Sequence, residues 1–431
     1  MSVIKSDVEN GCTGGGGRQR RESSRFGLVL PPSRPTPFIL LASVLKPTDD
    51  TRMYEKFGRT LAAAGYLPII AGRGAGPTPI VTAEGIIQVE LFHGHRLGFS
   101  RLLAQWEYWR LLRKMKPELV IVHAPELLPL TLLWHRRTGR PFLYDVRENY
   151  ALNIRTQQVY QGGIKRLLAR AVTWVEARAA RRAAAVLLAE RSYADELPWL
   201  PAGRTVVLEN KYAPPSAEQP HSYSRAPLNL STTAEPLRLL YSGTISALNG
   251  VFDAIELARQ LRAVWPGLTL TVIGYCQQPA ELAQLRQLAA EHSAWLRLIG
   301  GAEPVPHAAI VAEIGWHHLG LLPYREHPSS WRCLPTKLYE YLASGLPVLI
   351  PPNPLWAAEV QRHEAGLVVD FRQPQLDAPA LARQLSGRRF YPQGPVAAAR
   401  WDSEAPRLLA AVRAAVRAAL PAETARPGPP L

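Results

Sequence analysis

The chain has 431 residues, of which 47% are hydrophobic, and a formal net charge of +15. That length allows two or three domains with sizeable cores, and that apolar content excludes a disordered chain. Cys12, Cys276 and Cys333 stand too far apart for a disulfide framework or a zinc-ligand spacing, no apolar run reaches the ~18 residues of a membrane-spanning helix, and residues 1–10 hold no signal-peptide core.

A reducing, cytoplasmic location is therefore expected. The positive charge attracts anionic lipid, nucleic acid or phosphorylated small molecules without choosing among them, and an arginine-rich composition inherited from a GC-rich genome explains it equally well. Residues 1–36 read as a flexible tail, and the glycine run Gly14–Gly17 within it follows no strand and opens no helix, which makes it a linker and not a phosphate loop.

From Pro37 the pattern changes. Phe38 to Ser43 predicts a strand, Asp49 to Thr51 a helix start, and Gly65 the end of that helix. Further strands are expected at 67–71, 119–123, 141–144 and 185–188, with a helix over 102–114. Residues 213–236, rich in Pro, Ser and Ala, read as an interdomain linker. A second alternating block follows, with strands at 237–241, 268–273, 296–299, 318–322 and 347–350 and helices at 251–264, 280–292 and 335–344. A long loop and a last helix over 404–420 precede a tail at 421–431. Strands alternating with helices predict parallel sheets covered on both faces. The expected organisation is thus two doubly wound α/β domains, 37–212 and 237–403, with ligands beyond the carboxyl ends of the strands.

The most informative stretch is Leu334 to Pro347, LPTKLYEYLASGLP. Pro335 and Thr336 suit a helix start, with Thr336 as the N-cap. Unpaired N–H groups there attract anions, Lys337 adds a full charge, and Glu340 one turn further can accept two hydrogen bonds from a ribose diol. A capped surface helix with Glu340 in solvent is the other reading of the same spacing.

This segment resembles the nucleotide-sugar site of glycosyltransferase family four, a large retaining group with the GT-B fold, in which two Rossmann-like domains face each other across a cleft. The family carries two glutamates, the second followed by a run matching Tyr341, Leu342, Ala343, Gly345, Pro347 and Val348. The resemblance implies that Glu340 binds the donor ribose. Arg332 stands where the first glutamate falls. The turn Tyr241 to Ile245 resembles the family's diphosphate cradle, which implies donor contacts at Ser242, Gly243 and Thr244. Thr244 and Asn249 occupy positions where the family has cations, so Lys337, Arg325 and Arg332 are expected to supply the missing charge, Arg332 through a bidentate fork on phosphate.

Two further segments resemble the first domain of the family. His123, in Val122 to Pro129, matches a strand-end histidine near the reacting sugar, which implies a catalytic or positioning role beside Glu340. Lys46 to Arg52 and Leu143 to Asn149 resemble acceptor-side loops, which implies acceptor contacts at Asp50, Arg52, Asp145 and Glu148. The resemblance implies a nucleoside diphosphate sugar as substrate, with no separate cofactor and no metal. His93 and His95 alternate on one strand face without a third ligand, and His317 and His318 point to opposite faces, so neither pair is read as a metal site.

Residues 164–186 have helical period, with Ile164, Leu168, Ala171, Val175, Ala179 and Val186 on one side and Arg170, Trp174, Arg178 and Arg181 on a neighbouring one. A basic stripe with an aromatic anchor suits the anionic inner face of a cell membrane, and a solvated basic face is the alternative. The leading expectation is a glycosyltransferase acting on a polysaccharide or glycolipid acceptor in the cell envelope. A catalytically silent nucleotide-sugar binder and a GT-B epimerase stay open. A nucleic-acid module lacks the interleaved aromatics or motif it would need, and no nucleic acid is expected as a partner.

Overall fold

The computed structural model describes residues 37–74, 76, 78–92, 100–156, 162–215 and 236–419. The expected tails, the Gly14–Gly17 run, His93, His95, Cys12 and most of the expected linker lie outside these residues.

Two sheets organise the chain. The first is ordered β3-β4-β2-β1-β5-β6-β7-β8. Its strands are β1 (Phe38–Pro47), β2 (Leu67–Arg73), β3 (Ile80–Val81), β4 (Ile87–Phe92), β5 (Leu119–Val122), β6 (Phe142–Val146), β7 (Ala185–Leu188) and β8 (Thr205–Val207). All neighbours are parallel except the short edge pair β3 and β4. The second sheet is fully parallel, ordered β11-β10-β9-β12-β13-β14. It comprises β9 (Arg238–Ile245), β10 (Thr269–Cys276), β11 (Leu296–Gly301), β12 (Leu319–Leu321), β13 (Val348–Ile350) and β14 (Gly366–Val368).

The apolar runs of the central strands follow from burial on both faces. Leu40, Ala42 and Val44 of β1 pack into one core beneath the helices Ser100–Met115, Leu128–Thr138 and Gly162–Ala180. Ile39 and Leu41, one residue out of phase, pack into the opposite core with Met53, Phe57 and Leu61. The last helix, Ala405–Ala419, joins that second core through Leu408, Val412 and Ala415. It therefore returns from the second domain to the first. Trp401 anchors the return: its ring stacks on Phe57 at 5.5 Å and its indole N–H donates to Thr60 Oγ1 at 2.8 Å. The outgoing and returning strands of chain meet where Tyr212 bridges Arg400.

Four expectations need correction. The expected long loop between Ile350 and Glu404 holds the helix Pro354–Arg362, the strand β14 and the helix Ala378–Leu385. The helical stretch expected to reach Val186 stops at Ala180, and Val186 is the second residue of β7. Ile164 and Ala171, placed on its packed side, are exposed, whereas Ala169, Glu176, Ala179 and Ala180 are buried. The helix after Thr51 begins as a π-helix, Arg52–Gly58, before continuing as the short α-helix Arg59–Ala63.

Candidate active site

The helix Thr336–Ser344 starts after Pro335, which occupies the N-cap with extended φ and ψ, so Thr336 is the first helical residue and not the cap. The Thr336 hydroxyl instead accepts a hydrogen bond from Asn210 Nδ2 at 3.0 Å. Lys337 Nζ donates to Glu340 Oε2 at 2.8 Å, and Glu340 is only 3% exposed. Burial alone would raise the Glu340 carboxyl, but Lys337 and His307 beside it hold it down at about 2. Glu340 is therefore a buried anion at physiological pH and not a solvent-facing carboxylate.

Lys337 also lies across Gly243. A Cβ on that glycine would stand 2.8 Å from Lys337 Cε, and its φ of +112° is one that side-chain-bearing residues rarely adopt. Ser242, Gly243 and Thr244 were expected in a turn after the strand. They lie within β9, paired with Ile273, Gly274 and Tyr275 of β10. Ser242 Oγ is 2.9 Å from the Tyr341 hydroxyl, which ties the strand to the Glu340 helix. The turn comes later. Asn249 closes it by donating from Nδ2 to the Thr244 carbonyl, and Gly250 at φ +76° approaches Pro323 so closely that a Cβ would sit 1.9 Å from the Pro323 carbonyl oxygen.

Two of the three expected substitute cations are engaged elsewhere. Arg325 makes a bidentate pair with Asp253, both bonds 2.8 Å, with its side chain 43% exposed. Arg332 faces the first domain, 3.7 Å from Asp195 and 3.8 Å from Glu196. Of the three cations, Lys337 alone is placed against both Gly243 and Glu340.

A cation that the sequence reading missed completes the cluster. His307, the first residue of the helix His307–Trp316, places Nδ1 3.0 Å from Glu55 Oε2 and Nε2 3.5 Å from Glu340 Oε1. The Nδ1 contact has hydrogen-bond geometry; the Nε2 contact does not, and is a close charge pair. Burial works against a charged imidazole, yet the two carboxylates raise His307 to about 9. Lys56, next to Glu55 and 2% exposed, donates to the side chain and carbonyl of Asn210. Burial and the nearby Arg52 bring Lys56 down to about 7, against the pull of Glu340, Glu55 and Asp50. The start of the Glu340 helix is thus joined to the π-helix of the first domain through Asn210 and through His307.

The first-domain half is built around Asp145 at the end of β6. Arg52 donates to it from Nε at 2.9 Å and from a terminal nitrogen at 2.7 Å, and His123 Nδ1 lies 2.7 Å away. All three residues are fully buried. Arg52 also donates to the Leu208 carbonyl. Arg52 and Asp145, expected as acceptor contacts, are therefore committed to each other. Arg52 and His123 hold the Asp145 carboxyl well below the usual range despite its burial, while burial pushes His123 below its ordinary value. His123 is then a neutral imidazole that donates from Nδ1 to Asp145, and its buried Nε2 has no hydrogen-bond partner among the described residues. Asp50 accepts backbone N–H bonds from Arg52 and Met53 and pairs bidentately with Arg147 at 2.8 and 3.0 Å. Glu148 remains partly exposed, 3.5 Å from Lys46.

A second group missed in the sequence lies where β7 of the first domain meets the segment before the Glu340 helix. Glu190, after β7, accepts the Leu334 N–H across the domains, and burial pushes its carboxyl up to about 8. It lines a cavity of about 550 Å³ with Arg191, Glu209, Lys211, Arg332 and Tyr339. His317 bonds the Glu313 carbonyl and His318 meets Arg238, so that pair is structural. Among the described residues no three His, Cys, Asp or Glu side chains are grouped to hold a metal ion.

Comparison with known proteins agrees with this architecture. Residues 52–211 match the model of a family described as a glycosyl transferase 4-like domain. The full sequence matches no curated protein. Sucrose-phosphate synthase from Thermosynechococcus elongatus superposes with a TM-score of 0.60 at 15% identity, covering 89% of this chain and 100% of its own. HepE from Anabaena, solved with UDP and glucose, gives 0.56 at 12% identity over 88% and 99%. The catalytic domain of starch synthase IV from Arabidopsis thaliana, bound to ADP and acarbose, gives 0.55 at 10% identity over 88% and 99%. With a first domain matched by that family and an architecture shared with these enzymes, the chain is a glycosyltransferase of the GT-B fold.

Proposed function

We propose that the chain moves a sugar from a nucleoside diphosphate sugar to a hydroxyl of a polysaccharide or glycolipid acceptor, with retention at the anomeric carbon. The observation that carries this reading is the buried Glu340 carboxylate, held charged beside a lysine that lies over Gly243. A ribose diol would donate two hydrogen bonds to such a carboxylate, and Lys337, lying over Gly243, would meet the diphosphate. The structural neighbours solved with UDP or ADP support a nucleotide as part of the donor.

In the reaction the bond from the anomeric carbon to the diphosphate oxygen breaks, and the acceptor hydroxyl oxygen forms the new bond. The hydroxyl proton passes to the departing diphosphate. Lys337 stabilises the charge that develops there. Neutral His123 offers Nε2 as an acceptor for a sugar hydroxyl, and its Asp145 bond fixes the tautomer. A silent nucleotide-sugar binder is favoured by one observation, the engagement of Arg325 and Arg332 with carboxylates. Incubation with a panel of UDP-, GDP- and ADP-sugars separates the two. Slow release of the nucleoside diphosphate from one donor is expected without acceptor; a donor that binds and is never cleaved, even with acceptor glycans present, contradicts transfer.

The acceptor side further supports work at a membrane surface. On the helix Gly162–Ala180, Leu167 is 72% exposed and Trp174 65% exposed. Arg170 and Arg178 of that helix, and Arg181 just after it, are exposed as well. Apolar side chains bare among arginines suit the headgroup region of an anionic bilayer. No helix among the described residues is long and apolar enough to cross a membrane. The expected outcome is co-sedimentation with phosphatidylglycerol vesicles that is lost in Leu167→Ser/Trp174→Ser. Equal sedimentation of the variant, or none by the wild type, rejects this face.

A further inference from the structure

His307 sits where its own helix does not want a cation. The amino end of a helix carries partial positive charge, so an imidazolium at the first position of His307–Trp316 is disfavoured by the dipole. Its compensation comes from two other elements. Glu55 reaches it from the π-helix of the first domain, and Glu340 from the helix of the second. Lys56 stands beside Glu55, Lys337 beside Glu340, and the Tyr212 ring meets the imidazole edge-on at 6.3 Å. Side-chain exposures are 14% for His307, 8% for Glu55 and 4% for Glu340, so the three charges are largely withdrawn from water.

We propose that Glu55, His307 and Glu340 form an ionic latch between the domains, with His307 as the positioning residue that couples occupancy of the nucleotide site to closure of the cleft. The proposal rests on reading Glu340 as the ribose ligand. A carboxylate has about four acceptor sites on its two oxygens. Lys337 takes one on Oε2 and His307 faces Oε1, which leaves room for a diol. The ribose therefore completes the cluster without displacing the latch. The latch in turn fixes the orientation of the Glu340 carboxylate before the nucleotide arrives. Glu55 belongs to the other domain, and its contact with His307 carries its contribution to nucleotide binding.

The sign with pH follows from the groups that face the imidazole. His307, raised to about 9 by Glu340 and Glu55, is charged at pH 7.5 and loses its proton as pH climbs through that value. The latch is closed below and released above. Lys56 falls neutral near 7, and that loss does not touch the bonds made by His307.

The test uses the full chain with Glu55→Gln, His307→Gln and His307→Lys. Calorimetry with UDP, GDP and ADP reads affinity, and small-angle X-ray scattering at pH 7.5 and 10 reads the radius of gyration. The latch predicts that Glu55→Gln and His307→Gln each weaken the preferred nucleotide about 5- to 10-fold at pH 7.5, a typical coupling between sites. It also predicts that the wild type expands at pH 10, that both Gln variants are already expanded at pH 7.5, and that His307→Lys stays compact at pH 7.5. Wild-type affinity in Glu55→Gln together with an unchanged radius overturns the latch and leaves the donor site intact. A radius that responds as predicted in a chain that binds none of the three nucleotides upholds the contact between the domains and overturns the ribose reading of Glu340, and with it the coupling to nucleotide.

Discussion

Two histidines meet carboxylates through Nδ1 on opposite sides of the cleft, and they differ in charge: His123 is neutral and His307 is a cation. His123 of the first domain bonds Asp145, and His307 of the second bonds Glu55. Burial penalises the imidazolium in both. At His123 the partner carboxylate is already neutralised by two bonds from Arg52, so too little negative charge remains to hold a second proton. At His307 two carboxylates converge, and their summed attraction exceeds the cost of burial. What surrounds the carboxylate, and not its mere presence, decides whether an adjacent histidine is an acceptor or a cation. Under the proposed transfer, a neutral acceptor near the reacting sugar and a cation near the nucleotide would have different work to do.

The largest way to break this comparison is to remove the guanidinium. Arg52→Leu leaves Asp145 buried without its principal partner, and breaking a buried ion pair costs about 3–5 kcal/mol. Denaturant unfolding checks the loss, and Asp145→Asn/Arg52→Leu should recover part of it because no bare charge remains. The Arg52→Leu substitution should also raise His123 from its lowered value, since one cation opposing its protonation is gone while its bond to Asp145 stays. Under linkage the loss of stability that a lowered value imposes as pH falls is then smaller. A stability change below about 1 kcal/mol would mean that Asp145 is solvated in solution, and the neutral state assigned to His123 would fall with it.

Much of the frame was readable in the amino-acid order. The central strands are apolar because both faces are buried, and runs such as Ile39 to Ala42 announce that without any partner. The Glu340 helix was readable because its proline start, lysine and glutamate are local. The region after Ile350 was not, because β14 is only three residues long with Val368 exposed, too short to show a period. The exposed face of Gly162–Ala180 defeated a periodicity count, since Ile164 and Leu167 are as apolar as core residues but face outward. His307 and Glu55 were illegible for another reason: they lie 252 positions apart, and nothing local marks either as charged and buried. Arg325 and Arg332 are expected as phosphate ligands because the resemblance leaves Thr244 and Asn249 where cations belong, and their carboxylate partners Asp253, Asp195 and Glu196 become visible only in three dimensions.

A smaller effect than the loss of Arg52 is expected at Glu340, and it bears on the central claim most directly. The measurement is calorimetric titration of wild type and Glu340→Gln with UDP, GDP and ADP at pH 7.5. Glutamine keeps the shape of the side chain but removes its charge, and a hydrogen bond to a charged group is worth about 1.5–3 kcal/mol. The account predicts that one nucleoside diphosphate binds the wild type and that the substitution weakens it roughly 10- to 100-fold, with the folded state retained by circular dichroism. Equal affinity of the two proteins for that nucleotide would contradict the assignment of Glu340 to the donor ribose and, with it, the site on which the proposed transfer depends.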